Sequence, residues 1–166
     1  MSNFYPNSKV FGQELLKEGD DMIKPLILLV DDEAPFVETM TKRLSKRDLN
    51  IITAFSGEEA LERLNNHRNT DVVILDVKMP GMNGIETLAK IRDQFPLTEV
   101  IMLTGHATVE SAIEGMKLGA FDYLMKPCEI EQLMAKVREA ARKKRDHEEK
   151  IKEARVREAL SVHGLE

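Results

Sequence analysis

The chain has 166 residues, which suits one domain of ordinary size plus an additional segment, and 42% of them are hydrophobic while 32% are charged. This balance is typical of a soluble globular protein; no window is apolar for long enough to cross a membrane, and the polar amino terminus does not resemble a signal peptide. The net charge of −5 provides no basic surface for nucleic acid, and the single cysteine, Cys128, excludes an internal disulfide and fits a reducing cytoplasm.

Residues 1–24 are polar, and we interpret them as an N-terminal extension in which residues 11–21 favour at most a helical turn. Five short apolar runs follow, each bounded by charged or turn residues. They span residues 26–30, 50–55, 71–76, 99–104 and 121–126. Continuous apolar runs of this length are typical of strands that are buried on both faces of a parallel sheet.

Between these runs, apolar residues recur at steps of three and four, which predicts helices. The apolar positions are Phe36, Val37, Met40 and Leu44; Ala60, Leu61 and Leu64; Ile85, Leu88 and Ile91; and Val109, Ala112, Ile113 and Met116. Boundary residues agree, since Pro35 suits a first helical position, Ser56 and Glu59 fit a capping box, and Gly119 suits a helix end. The alternation predicts a doubly wound α/β domain over residues 25–141, but periodicity does not determine its strand order.

Residues 129–141 carry an apolar stripe that predicts a further helix docked on the sheet. Its positions are Ile130, Leu133, Met134, Val137, Ala140 and Ala141. Residues 142–166 lose the stripe but keep helix-forming residues and opposite charges four positions apart, such as Lys144 and Glu148. We interpret them as a charged helical extension or linker, and a dimer-forming helix is the alternative.

Polar side chains lie where the predicted strands end, which is the edge at which parallel sheets bind ligands. Asp31 and Asp32 follow the first strand and Asp76 ends the third, while the fourth ends at Thr104 and the fifth at Lys126. Each residue alone has an ordinary explanation, such as a helix cap or a surface lysine. Five such residues at one edge together indicate a functional site.

Three clustered carboxylates raise one another's pKa values, and a divalent cation removes this penalty. Mg²⁺ favours a few carboxylates together with waters and phosphate oxygens. An aspartate in such a cluster can act as a nucleophile at phosphorus and form an acyl phosphate. Lys126 would then stabilise charge on the transferring group, and the hydroxyl of Thr104 would bind its oxygens.

These residues and the motifs around them resemble the receiver domain of two-component response regulators. The motifs are VDDE, ILDVKMPGMNG, MLTGHA and DYLMKP, and the similarity covers about Leu26 to Ala141. The spacing of 44 residues from Asp32 to Asp76 and of 19 from Thr104 to Tyr123 also fits. The resemblance implies a flavodoxin-like fold with strand order 2-1-3-4-5.

The resemblance also implies a role for each site residue. Asp76 would be the phosphoacceptor, and Asp31, Asp32, Asp76 and the backbone carbonyl of Lys78 would hold Mg²⁺. In the adjoining loop, Pro80 to Gly84, the sequence favours positive φ angles at Gly81 and Gly84.

Three further residues are implied to respond to the phosphoryl group. Thr104 would be the switch hydroxyl, Tyr123 the switch aromatic residue and Lys126 the phosphate-contacting lysine. The Lys126–Pro127 peptide bond is expected to be cis. Phosphorylation would thereby change the surface formed by the fourth helix, the fifth strand and the fifth helix.

We therefore expect a cytoplasmic signalling switch that catalyses its own phosphorylation and dephosphorylation but is not a conventional enzyme. Its expected partners are a sensor histidine kinase or phosphotransfer protein and an effector protein or a missing output domain. An alternative is an aspartate-nucleophile phosphatase or phosphotransferase, but such enzymes need an acid where this chain has Lys78. A flavodoxin-like cofactor binder would need a glycine- and hydroxyl-rich loop after the first strand, where this chain has acids.

The output of the switch is left open by the sequence. The chain is either a single-domain regulator that acts by protein contact or the receiver of a longer transcription activator. Residues 104–127 look closest to receivers of enhancer-binding transcription activators. No DNA-binding motif is present, so we expect no direct contact with nucleic acid, and homodimer formation is undecided.

Overall fold

The computed structural model describes residues 24–164, so the helical turn expected at residues 11–21 lies outside the described part. One parallel sheet is formed by β1 (Leu26–Val30), β2 (Asn50–Ala54), β3 (Val72–Leu75), β4 (Glu99–Thr104) and β5 (Asp122–Met125). The strand order is β2-β1-β3-β4-β5. Both the five predicted strands and the implied order are confirmed.

Each strand is followed by a helix. The helices are α1 (Ala34–Ser45), α2 (Gly57–Asn66), α3 (Gly84–Gln94), α4 (Val109–Lys117) and α5 (Ile130–Val162). Ile27 and Leu29 of β1 pack with buried residues of α1 and α5, whereas Leu28 and Val30 pack with those of α2 and α3. Neighbouring residues of a strand point to opposite faces, so the central strands are covered on both sides; β1 and β3 are apolar throughout, and β4 is apolar between Glu99 and Thr104.

The helix boundaries follow the predicted chemistry with two adjustments. Pro35 is the second residue of α1, after Ala34. Ser56 accepts a hydrogen bond from the N–H of Glu59 at 3.1 Å, but the Glu59 carboxylate accepts from the N–H of Phe55 instead of Ser56. The first bond of the capping box is therefore present, but the carboxylate of Glu59 binds the N–H one residue before the N-cap residue.

The apolar stripe of α4 is largely exposed and does not form part of the core. Val109, Ile113 and Met116 are largely exposed, and the buried residue of this helix is Gly115. A Cβ atom at Gly115 would lie 3.6 Å from the Tyr123 ring and 3.8 Å from Met102, so this glycine lets α4 approach the sheet closely. Periodicity predicted the helix correctly but did not determine which neighbours cover its apolar face.

The apolar stripe of α5 is buried as predicted, and the helix continues for 33 residues, or about 50 Å. Lys144 is the last buried residue, and residues 149–164 are exposed. Within residues 24–164, none of the helices combines the length and the apolar character that a membrane-spanning segment requires.

A buried ionic cluster joins α5 to the amino ends of the strands. Asp71 precedes β3, and its Oδ2 atom accepts a hydrogen bond from the N–H of Leu26 at 2.8 Å. The Nζ atom of Lys144 lies 3.3 Å from Asp71 Oδ1 and 2.5 Å from Glu148 Oε1, while Arg145 lies 3.3 Å from Asp71 Oδ2. The firm attachment of α5 therefore extends one turn beyond its apolar stripe.

Candidate functional site

The three aspartates lie close together because β1 and β3, the strands that they follow, are neighbours in the sheet. Val30 of β1 pairs with Leu75 of β3, so the residues that follow, Asp31 and Asp76, lie side by side. One carboxylate oxygen each from Asp31, Asp32 and Asp76 lies within 4.8 Å of the others. Asp31 and Asp76 are buried, whereas Asp32 is exposed.

Lys126 reaches this cluster from the end of β5. Its Nζ atom lies 2.6 Å from Oδ2 of Asp31, and 17% of its side chain is exposed. Its N–H donates a hydrogen bond to the carbonyl of Thr104 at 2.9 Å. The peptide bond to Pro127 is cis, as the resemblance implied.

Asp31 connects three elements through its two oxygens. Oδ1 accepts a hydrogen bond from the N–H of Glu33 at 2.9 Å, at the start of α1, and Oδ2 accepts from Lys126. Glu33 occupies the N-cap position but makes no side-chain capping bond. The aspartate at the end of β1 thus binds the backbone N–H of the N-cap residue itself and links β1 to the start of α1.

Thr104 and Tyr123 lie on the same face of the sheet but contact different neighbours. Thr104 is fully buried at the end of β4, and its hydroxyl accepts a hydrogen bond from the N–H of His106 at 3.0 Å. Tyr123 pairs with Met102 across β4 and β5, and its hydroxyl lies 2.9 Å from the hydroxyl of Ser111 on α4. Thr104 therefore borders the carboxylates, while Tyr123 faces α4.

The pKa of Asp76 is raised above its ordinary value of 3.8, first by burial and then by the negative charge of Asp31. The ammonium group of Lys126, the hydroxyl of Thr104 and the N–H of Val77 oppose this rise. These opposing groups lie around the carboxylate of Asp76, so the charged form is disfavoured by its surroundings but is not left without partners.

The loop after β3 places Lys78 and two glycines beside the site. Lys78 is exposed, and Gly81 has φ +72°, as predicted. Positive φ at Gly84 was wrong, because Gly84 is the first residue of α3 and is helical. Glycine is needed there for space, since a Cβ atom would lie 2.0 Å from the carbonyl oxygen of Asp76.

The donor set at this edge fits a hard divalent cation. All three clustered side chains are carboxylates, and oxygen ligands are those that Mg²⁺ prefers. Two of the three are buried, so their mutual repulsion is poorly screened by solvent. A cation of this class would relieve that repulsion.

Sequence reasoning did not identify three residues that contact the site or its surroundings. Phe36 was taken only as part of the apolar stripe of α1, yet its ring lies 3.8 Å from the Nζ atom of Lys126. Ser111 bonds Tyr123, and its position three residues after Thr108 is the signal that could have marked it as a capping residue. Asp71 precedes a strand, where no ligand edge is expected, so its contact with α5 had no signal in the sequence.

Comparisons with known proteins agree with this geometry. Residues 27–138 match the family model described as the response regulator receiver domain. The chain is 40% identical over 117 residues to the transcriptional regulatory protein CpxR of Escherichia coli, which covers 70% of this chain and 49% of CpxR. It is 34% identical over 119 residues to the DNA-binding transcriptional regulator NtrC of the same organism, which covers 72% of this chain and 25% of NtrC.

Among solved structures, a response regulator receiver domain protein from Clostridium thermocellum superposes with a TM-score of 0.70 at 36% identity. The superposition covers 73% of this chain and 97% of that protein. The chain thus spans nearly all of a receiver domain, but only about a quarter to a half of the length of the full-length regulators named above.

Proposed function

The chain belongs to the response regulator receiver domain family, whose members are phosphorylation-dependent signalling switches, and we propose that Asp76 is the residue of this chain that accepts the phosphoryl group. The observation that supports this choice is the convergence of three carboxylates and Lys126, from the ends of β1, β3 and β5, at one edge of the sheet. Asp76 is the buried carboxylate of the set that forms no salt bridge with Lys126. Its Oδ1 atom accepts a hydrogen bond from the N–H of Val77 at 2.9 Å, and we assign the attack on phosphorus to its other oxygen.

Mg²⁺ would be held by Asp31, Asp32 and Asp76 and by the backbone carbonyl of Lys78. When bound, Mg²⁺ supplies positive charge that offsets the repulsion among the carboxylates and between them and an incoming phosphoryl group. The exposed position of Asp32 leaves this side of the site open to solvent and to a phosphate donor.

Three side chains have different roles in the phosphoryl transfer. An oxygen of Asp76 attacks phosphorus, forming a P–O bond as the bond to the donor breaks. Lys126, whose Nζ atom lies 2.6 Å from Asp31 before transfer, exchanges this contact for one with an oxygen of the phosphoryl group and stabilises its charge. The buried hydroxyl of Thr104 turns from the N–H of His106 to donate to another phosphoryl oxygen.

The conformational response follows from the contacts that these movements break. Moving Thr104 changes the end of β4, next to the strand that carries Tyr123. Tyr123 can reorient only if its hydroxyl leaves Ser111, so the bond between them holds the unphosphorylated arrangement. The exposed apolar face of α4, which includes Val109 and Ile113, is the surface whose position then changes.

We expect a sensor histidine kinase or a phosphotransfer protein as the phosphoryl donor, and an effector protein or a further domain as the recipient of the signal. Hydrolysis of the acyl phosphate at Asp76 would return the switch to its resting state. The chain would then catalyse both its own phosphorylation and its dephosphorylation, and it would act as a signalling protein in the cytoplasm.

The test is labelling of Asp76 by acetyl phosphate, a small phosphoryl donor, with Mg²⁺ present. Mass spectrometry should place the phosphoryl group on the peptide that contains Asp76, and Asp76→Asn should remove it without unfolding the protein. Asp122→Asn is the matched control, because Asp122 is a partly buried aspartate at the opposite end of β5. Labelling of Asp76→Asn at the wild-type rate would refute the assignment.

A further inference from the structure

The ammonium group of Lys126 has a second contact besides Asp31. Its Nζ atom lies 3.8 Å from the centroid of the Phe36 ring. Phe36 is the third residue of α1, and it is partly buried against the core between α1 and α5. The ring therefore covers the lysine at the point where β1, α1 and the end of β5 meet.

This arrangement has the geometry of a cation–π contact. An ammonium group within about 6 Å of an aromatic centroid is attracted by the negative face of the ring, and more strongly where solvent is excluded. The Lys126 side chain is mostly buried, which favours the stronger end of this range. A leucine at position 36 could fill similar space in the core, but it would not attract the ammonium group.

The two contacts of Lys126 respond differently to charge at the site. The pull of Asp31 weakens when its carboxylate is shared with another cation, because the net charge around it falls. The Phe36 ring has no net charge, so its attraction for Lys126 persists. The ring thus restricts a long side chain whose free rotamers would otherwise carry its charge away from Asp76.

We propose that Phe36 is a positioning residue, which acts through Lys126 by holding its ammonium group over the site from which the phosphoryl group is contacted. This inference rests on the proposed role of Asp76 and Lys126. It predicts that an aromatic ring at position 36 matters for the rate of phosphoryl transfer, and that apolar volume alone does not suffice.

The test compares Phe36→Leu with Phe36→Tyr in the full chain, using acetyl phosphate with saturating Mg²⁺. Phe36→Leu is expected to lower the second-order rate constant for phosphorylation of Asp76 by between about twofold and thirtyfold. This is the range that a cation–π contact provides. Phe36→Tyr keeps the ring face and should retain the wild-type value within about twofold. Circular dichroism melting establishes that each variant is folded.

Phe121→Leu is the matched control. Phe121 is also partly buried against the same core, and the Nζ atom of Lys143 lies 5.6 Å from its ring, but it lies at the other end of the sheet. Loss of this ring should leave the phosphorylation rate unchanged. If Phe121→Leu slows transfer as much as Phe36→Leu, core packing explains the effect and the proposal is wrong.

A second measurement tests the contact without any phosphoryl transfer. Protons on the ε-carbon of Lys126 should show an upfield ring-current shift in the NMR spectrum of the wild type and of Phe36→Tyr, and Phe36→Leu should lose it. Absence of this shift in the wild type, or equal rates for Phe36→Leu and wild type, would overturn the proposal. A wild type that shows the shift but is not labelled on Asp76 would instead refute the proposed function and leave the contact established.

Discussion

Asp76→Asn is expected to stabilise the protein when divalent cations are removed. Asp76 is buried next to Asp31, and its pKa is raised because burial and that neighbour disfavour the charged form. Asparagine keeps the shape of the side chain and removes the charge. Asp76, which we propose is essential for phosphorylation, should therefore lower the stability of the protein when no divalent cation is bound.

The size of the effect follows from the distance between the carboxylates. Two unit charges 4.8 Å apart, the largest separation within the cluster, repel each other by about 3.5 kcal/mol at an effective dielectric constant of about 20. The ammonium group of Lys126 attracts Asp76 and offsets part of this repulsion. We therefore expect a net gain of about 1 to 2 kcal/mol, which corresponds to an increase in Tm of roughly 4 to 8 °C for a domain of this size.

Thermal unfolding in EDTA, followed by circular dichroism, measures this gain. An acid with a raised pKa in the folded state contributes stability when protonated, so stability is lost as the pH rises through that pKa. The advantage of Asp76→Asn over the wild type should thus be largest at neutral pH and shrink as the pH falls toward 3.8, the ordinary value. Asp32→Asn is the control and should gain less, since Asp32 is exposed. A lower Tm for Asp76→Asn at neutral pH in EDTA would contradict the electrostatic reasoning.

Three further outcomes are expected. Ser111→Ala and Tyr123→Phe each remove the hydrogen bond between these residues, so each should raise the affinity for beryllofluoride, a phosphoryl mimic, by about twofold to tenfold. The double variant should gain no more than either single variant, and titrations followed by NMR measure all three affinities. Asp71→Asn leaves the buried ammonium group of Lys144 without this carboxylate, so it should lower the free energy of unfolding in urea by roughly 2 kcal/mol. Asp122→Asn breaks a more exposed pair and should lower it by less than about 1 kcal/mol. Amide hydrogen exchange should be faster in α4 than in residues 130–144 of α5; equal protection would contradict the difference in burial described above.

The elements of the fold were predictable because local pattern and tertiary burial agree in the sheet. Runs such as residues 26–30 and 100–103 are apolar throughout, which is the pattern that strands covered on both faces require. The strand order came from the resemblance to receiver domains and not from periodicity, since every run has the same character. The exposure of the apolar stripe of α4 could not be predicted, because an apolar face is equally suited to a core or to a surface that binds a partner.

The site was predictable to the level of its residues but not of its contacts. Strand ends of a parallel sheet lie at one edge, so Asp31, Asp76 and Thr104 could be placed together from topology alone. That Phe36 covers Lys126 depends on the angle at which α1 leaves β1, and the hydrogen bond from the N–H of Glu33 to Asp31 is one of the contacts at this junction. Such an angle is a tertiary property, and no spacing in the sequence encodes it.

The unequal attachment of the helices indicates where a response to phosphorylation can occur at least cost. α5 buries six apolar residues and Lys144, and the ion pairs of Lys144 and Arg145 with Asp71 hold the turn that follows its apolar stripe. Displacing α5 therefore exposes a large apolar surface and breaks buried charge pairs. α4 buries only Gly115, and the contact of Ser111 with Tyr123 connects its first turn to β5, the strand that ends at Lys126 beside the carboxylates. Since a ligand shifts an equilibrium only by its differential affinity for the two states, a single phosphoryl group can move α4 far more readily than α5. We therefore expect the long helix to keep a fixed geometry and α4 to be the element that moves when charge is added at Asp76.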